Sequence, residues 1–342
     1  MKKLKSLFLV FALLFVLSAC GNTEENDNTL ENNNVEGTNV ETVTLTDALN
    51  KEIKIEKAPE RIVSLIPSNT EILFALGAGE NVVGVNDNDN YPPEVESIQK
   101  IGGLEYNLEM IISLQPDLVL AHESGMYGLG DGVAQLEAAG IPVFVVKNAV
   151  NFEETYETIE QIGLLTNRLP EAKKINEDIQ MKLENLQQKV ENVEPKSVFF
   201  VVGVQPEIYT AGKGTYMDEM LSFLNIKNEV TEPDWPSYSA EDFIASEADV
   251  ILTTYEPDIE AIKANPLFAT MKAVQSNQLI LVDGDTTSRQ GPRLAEGVES
   301  IAKAVISGYA EEVEYTGSSI EPVVTVTING KVLTLDDDYT VE

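Results

Sequence analysis

The sequence predicts an α/β protein built as two similar α/β lobes, each with a central parallel-type sheet, joined by one long rigid helix. Three observations carry this. Short apolar runs rich in branched residues alternate with helical stretches, the pattern of parallel strands covered by helices. Between Phe152 and Val193 the alternation stops, and Ile175, Ile179, Leu183, Leu186 and Val190 recur among charges at spacings of three and four, as on one face of an amphipathic helix. The second half also repeats the first. Asn107-Leu108-Glu109 through Asp117-Leu118-Val119-Leu120 matches Ser239-Ala240-Glu241 through Asp249-Val250-Ile251-Leu252 at one offset (241 − 109 = 132), and Glu71 to Val82 matches Glu219 to Val230 at another (219 − 71 = 148).

The N-terminus reads as an address. Lys2, Lys3 and Lys5 precede an apolar run, Leu7 to Leu17, that is short for a bilayer span, which is the layout of a signal peptide over 1–19. Leu17-Ser18-Ala19-Cys20-Gly21 resembles the lipobox of bacterial lipoproteins. Cys20 is the sole cysteine, so no structural disulfide can form, and it is expected to become the acylated N-terminus that holds the chain to the outside of the cell membrane. A plain secretory signal that happens to contain a cysteine is the alternative. Residues 20–40 are mostly Asn, Glu, Thr and Gly, with little to bury, and read as a disordered tether.

The first lobe is assigned to 41–151. Val40 to Lys57 alternates as a hairpin turning at Asp47 to Asn50. Ile62 to Ile66 is a buried strand ended by Pro67; Ser68, three residues before Glu71, predicts a capping box opening the next helix, which Gly77-Ala78-Gly79 stops. Val82 to Val85 completes a βαβ unit. Its Ser68-Asn69-Thr70 turn lies at the carboxyl end of a strand, where open α/β sheets place ligands. Helices over Leu108 to Leu114 and Val133 to Ala139, and strands over Leu118 to Ala121 and Val143 to Val146, follow. Residues 152–193 form the bridge, whose long helix starts at Leu169-Pro170 and spans roughly 30 Å at ~1.5 Å per residue. The second lobe, 194–312, holds strands Val198 to Val204, Val250 to Thr253 and Ile280 to Val282, and helices Tyr216 to Leu224, Ala240 to Ser246 and Leu294 to Ile306. Residues 313–342 are a hairpin tail turning at Asn329-Gly330, followed by three aspartates best read as a solvated charge run.

Charge and motif content narrow the function. Lys plus Arg is 23 against 57 Asp plus Glu, a net charge of −34 that repels phosphate backbones and argues against nucleic acid. His122 is the only histidine, so a Ser-His-Asp triad has one possible base and a multi-histidine metal site none. No nucleophile elbow, P-loop or dinucleotide fingerprint is present, and Gly212-Lys213-Gly214-Thr215 reads as a turn. An enzyme is therefore not expected, and no cofactor is assigned. Two lobes around a cleft make the cleft the default ligand site. Glu109 and Glu241 each sit in a first helical turn, where an acid complements the helix dipole. Their duplication, one per lobe, makes a two-point docking pattern.

Arg61 to Val85, Tyr91-Pro92-Pro93, Asn107-Leu108-Glu109, Pro116-Asp117-Leu118-Val119 and Gly291-Pro292-Arg293, in that order, resemble the substrate-binding proteins of bacterial ABC importers for cobalamin and iron-siderophores, over about Val43 to Ile306. The resemblance implies a monomeric, extracytoplasmic, lipid-anchored protein, of a Gram-positive bacterium, that delivers a cobalt or iron chelate (a cobalamin-type corrinoid, an iron-siderophore or haem) to a permease and its ATPase. Glu109 and Glu241 match the acids that pair with permease arginines. Tyr91 and Trp235 match cleft aromatics of the cobalamin-binding members and are expected to face one shared cavity. The stretch Ile101 to Leu104 lacks a tryptophan, and His122 stands where another aromatic would be expected. His122 is then either a ligand to, or hydrogen-bond partner of, the chelate, or a polar strand-end residue. Ser68 and Asn69 would edge the cleft, and Arg289 and Arg293 would suit an anionic iron chelate. Arg293 as a solvent-exposed helix start and Trp235 as a loop aromatic packed on its own prolines are the competing readings. An extracytoplasmic sensor or scaffold using the same cleft, and more distantly a cell-wall hydrolase, are the alternatives in function.

Overall fold

The computed structural model describes residues 42–190, 194, 196–306, 326–328 and 331–333. The signal segment, Cys20, the tether and the aspartates at 336–338 lie outside the described residues.

The described residues open on a hairpin, β1 (Val43–Thr46) and β2 (Glu52–Ile55), paired antiparallel with Thr46 opposite Glu52. Asp47 shapes the turn by accepting from the amides of Leu49 and Lys51, both at 2.9 Å. Then come β3 (Ile62–Ser64), α1 (Pro67–Ala75), β4 (Val82–Val85), β5 (Gln99–Lys100), α2 (Leu108–Ser113), β6 (Leu118–His122), α3 (Met126–Leu129), α4 (Gly132–Ala138) and β7 (Val143–Val146). The strands form one wholly parallel sheet, β5-β4-β3-β6-β7.

The expected capping box at Ser68 does not form. The N-cap is Ile66, which makes no side-chain cap bond, and Pro67 opens α1 because its locked φ suits the first helical position, where no amide bond is lost. Ser68 to Leu73 are all buried. Glu71 is thereby released from a capping role. The helix ends in a Schellman motif: Gly77 takes φ 76° and the Ala78 amide reaches the Leu73 carbonyl at 2.8 Å.

Two helices make the bridge, α5 (Phe152–Leu165) and α6 (Leu169–Val190). The apolar stripe of α6 buries Ile179, Leu183, Leu186 and Val190, while Ile175 is only partly covered. These residues share a single apolar cluster with Leu118 and Phe144 of the first lobe and Val198 and Phe200 of the second. The bridge is therefore the middle of a common core.

In the second lobe, β8 (Ser197–Gly203), β9 (Ile208–Thr210), α7 (Tyr216–Phe223), β10 (Lys227–Asn228), β11 (Ser237–Tyr238), α8 (Ala240–Ile244), β12 (Val250–Thr253), α9 (Glu256–Ala264), α10 (Lys272–Gln275), β13 (Leu279–Leu281), α11 (Gly284–Ser288) and α12 (Leu294–Val305) follow. Strands β10-β8-β12-β13 are parallel in the order that β4-β3-β6-β7 take in the first lobe. Strands β9 and β11 extend this sheet antiparallel, a departure from the repeat. The duplication read from sequence reaches individual bonds. The Asp117 carboxylate accepts from the Arg61 amide ahead of β3, and that of Asp249 from the Ser197 amide of β8, both at 2.9 Å. Asn225, at φ 55°, stands where Gly77 ends the equivalent helix. A last hairpin, β14 (Val326–Ile328) and β15 (Lys331–Leu333), pairs antiparallel as the tail pattern predicts; its turn residues lie outside the described set.

Candidate functional site

Loops after β3, β6 and β7 face segments of the second lobe across a cleft of about 530 Å³. Ser68, Ser124 and Asn148 line it from the first lobe; Thr215, Trp235 and Arg289 do so from the second. This is the carboxyl end of the first sheet, where strand ends leave loops free to diverge.

Trp235 is 52% exposed on a loop whose position depends on Gly212. The Gly212 amide donates to the Asp234 carbonyl (2.9 Å) and the Lys213 amide to that of Glu232 (2.8 Å). A Cβ on Gly212 would stand 2.2 Å from the Glu232 carbonyl oxygen, so only glycine admits the contact. Thr215 then caps α7, its hydroxyl accepting from the Asp218 amide. The Gly212–Thr215 turn is thus the clasp of the tryptophan loop, not a phosphate cradle.

His122 ends β6 and is 4% exposed. Its Nδ1 accepts from the Ser124 amide (3.2 Å) and lies 2.8 Å from the Ser124 hydroxyl. Burial pushes its pKa down to about 4, so the ring is neutral at pH 7. Ser124, not His122, is the cleft-lining member of this pair. Asn69 is fully buried, and its amide donates to the Ala121 carbonyl at 3.0 Å, tying α1 to β6. Among the described residues, no group of three or more His, Cys, Asp or Glu could hold a metal ion.

Arg289 and Arg293 converge on Glu71 of the opposite lobe. Arg293 Nε meets Glu71 Oε2 at 2.8 Å and its Nη2 meets Oε1 at 2.6 Å. Arg289 Nη1 donates to Glu71 Oε1 and to Asn90 Oδ1, each at 2.8 Å, while its Nη2 reaches the Asn88 carbonyl (3.3 Å) and Asp285 (2.7 Å). The side chains are 12% (Arg289), 13% (Arg293) and 2% (Glu71) exposed. Both cations are therefore compensated within the protein, and together they strap the lobes. No sequence pattern near Glu71 announces partners more than 200 residues away.

Tyr91 lies in this strap too. The Arg293 guanidinium sits 4.3 Å from its ring centroid. With Phe74, Pro92 and Pro292 it lines a separate pocket of about 340 Å³. Tyr91 and Trp235 therefore line two different pockets, contrary to the sequence expectation, with Arg293 of the strap bordering the first and Arg289 the second. Glu109 and Glu241 are both exposed, each at the second position of its helix after a capping Asn107 or Ser239, and neither takes part in an ion pair among the described residues.

A larger groove, about 880 Å³, runs beneath α8 on the second lobe. Its charges are largely paired among themselves, Lys227 with Glu229 and Lys272 with Asp249, and none of the candidate residues reaches it.

Comparison with known proteins follows the same lines. The family model described as periplasmic binding protein matches residues 62–286. The uncharacterized ABC transporter substrate-binding lipoprotein YvrC of Bacillus subtilis (strain 168) is 39% identical over 310 residues, 89% of this chain and 98% of the relative. A vitamin B12-binding protein of Photorhabdus laumondii is 27% identical, covering 72% of this chain and 88% of its own. Among solved structures, a possible iron-binding (periplasmic solute-binding) protein from Staphylococcus epidermidis superposes with TM-score 0.67 at 38% identity, over 73% of this chain and 99% of that one.

Proposed function

Because this chain belongs to the periplasmic binding protein family, we propose that it is the extracytoplasmic, lipid-anchored substrate-binding protein of an ABC importer, taking a metal chelate into the inter-lobe cleft and passing it to a permease driven by its ATPase. The observation that carries this is the 530 Å³ cleft between two like lobes, with an indole at its rim and hydroxyl and amide groups along its wall. Relatives named for vitamin B12 and for iron support the ligand class. The lipobox at Cys20 and a relative named as a lipoprotein support the anchor.

Ser68, Trp235 and Arg289 are the candidates that border the cleft; Asn69 and His122 stand behind its wall as supports, and Arg293 and Tyr91 belong to the strap beside it. Glu109 and Glu241 are the docking acids, one on each lobe. Trp235 is the sole tryptophan, so its emission reports on the cleft alone. Saturable quenching by a corrinoid or a ferric chelate is expected, and no response to either would refute the reading. Glu109→Ala with Glu241→Ala should cut uptake by about tenfold or more with affinity unchanged, since exposed acids at an interface act on partner recognition. Unaltered uptake would refute the docking assignment.

A further inference from the structure

We infer that the cleft selects a chelate whose periphery is neutral or cationic, and discriminates against anionic chelates. The inference rests on the chelate-binding reading above and adds the charge class of the ligand.

Three charged residues line the cleft: Asp234, Asp285 and Arg289. Arg289 is committed. Its Nη1 serves Glu71 and Asn90, its Nη2 serves Asp285 and the Asn88 carbonyl, and only the Nε hydrogen of the five donors remains. Arg293, which does not line the cleft, is held at Nε and Nη2 by Glu71. Arg289 and Arg293 are thus balanced by Glu71 and Asp285. Asp285 is further fixed by the Asn90 amide at 2.7 Å. What remains is Asp234, which is exposed and takes part in no ion pair among the described residues.

The ground behind the wall is acidic as well. Glu123 accepts from the Asn148 amide at 3.0 Å, and Glu154 from that of Val150 at 2.9 Å, so the loop between them is carried on carboxylates. Lys147 on that loop is paired with Glu154. His122, behind Ser124, is neutral at pH 7. With −34 on the whole chain, no long-range attraction for an anion offsets these local charges. The remaining polar lining, including Ser68, Ser124, Asn148, Thr215 and Gln290, offers hydroxyls and amides. Such groups suit an amide- or hydroxamate-rimmed chelate, and Trp235 offers a flat apolar face to a planar one.

Four probes test this by Trp235 quenching, checked by equilibrium dialysis: cyanocobalamin (neutral), a ferric trishydroxamate carrying a free ammonium (cationic), haemin and a ferric triscatecholate (both anionic). The neutral or the cationic probe should bind at least about tenfold more tightly than either anion, as one uncompensated carboxylate near the ligand dictates. Asp234→Asn should narrow that gap by roughly three- to tenfold, most strongly at low salt; asparagine accepts the positive φ of 61° at this position, so the loop is kept. Equal affinities, or tighter binding of an anionic probe, would overturn the charge inference and leave the chelate reading standing. Silence from all four would overturn both.

Discussion

Replacing Glu71 by alanine removes the carboxylate that Arg289 and Arg293 share. That carboxylate is 2% exposed and receives three charge-assisted hydrogen bonds of 2.6–2.8 Å, two of them from Arg293 in a fork. The variant leaves two guanidinium groups, 12% and 13% exposed, facing one another with Asp285 as their remaining counter-charge. Deleting one partner of such a buried pair costs about 3–5 kcal/mol, because the other stays desolvated. For a body of this size each kcal/mol moves the melting temperature by about 2–4 °C, so a drop on the order of 10 °C is expected by circular dichroism. The double variant Glu71→Ala/Arg293→Met should lose less than the sum of the single variants, since it also removes the stranded cation. A loss below about 1 kcal/mol, the value of a solvated surface pair, would refute the reasoning. It would also mean that the arginines stand free to meet an anionic ligand.

Gly212→Ala should drive the Trp235 loop away from the α7 cap, since the clash is with backbone rather than with a yielding side chain. A shift in Trp235 emission and a loss of ligand affinity of about tenfold are expected, while Gly203→Ala, which meets nothing within 4 Å, serves as the silent control. An unchanged emission spectrum would refute the clasp role. Asp89 is 4% exposed, its carboxylate near Thr70 and Asn86 but without a well-aligned hydrogen bond to either. Burial pushes its pKa from 3.8 up to about 6, with Thr70, Asn86, Lys100 and Arg289 pulling the other way. The folded state therefore holds this proton more tightly than the unfolded chain does. Its stabilising effect is full below pH 3.8 and is lost as pH rises through about 6. Asp89→Asn should gain about 2–3 kcal/mol at neutral pH and little in acid; urea midpoints showing the same gain at both would count against it.

The parts of the fold visible in the sequence were those set by local pattern. Periodicity marked α6 through Ile179, Leu183, Leu186 and Val190, and the Asn107 and Ser239 caps with their trailing strands exposed the duplication. Strands β9 and β11 carry no sequence signal because they are too short to alternate and owe their existence to pairing, β9 on β8 and β11 on β9. The Ser68–Glu71 spacing points to a capping box that does not form, because a proline one residue earlier already supplies the helix start and leaves the acid free for a distant partner. Of the candidate site residues, Ser68 and Trp235 border the proposed cleft, places that follow from a strand end and a loop. The contact of Tyr91 with Arg293 joins segments about 200 residues apart, so no local pattern in the sequence points to it.

Prying the two halves apart would bring Ile179, Leu183, Leu186 and Val190 toward water, at roughly 1.5–3 kcal/mol for each side chain fully bared. The strap at Glu71 would have to break as well. The separation of the two halves is therefore set by the fold, and on the proposed reading a guest is expected to be accepted by its girth instead of being folded around.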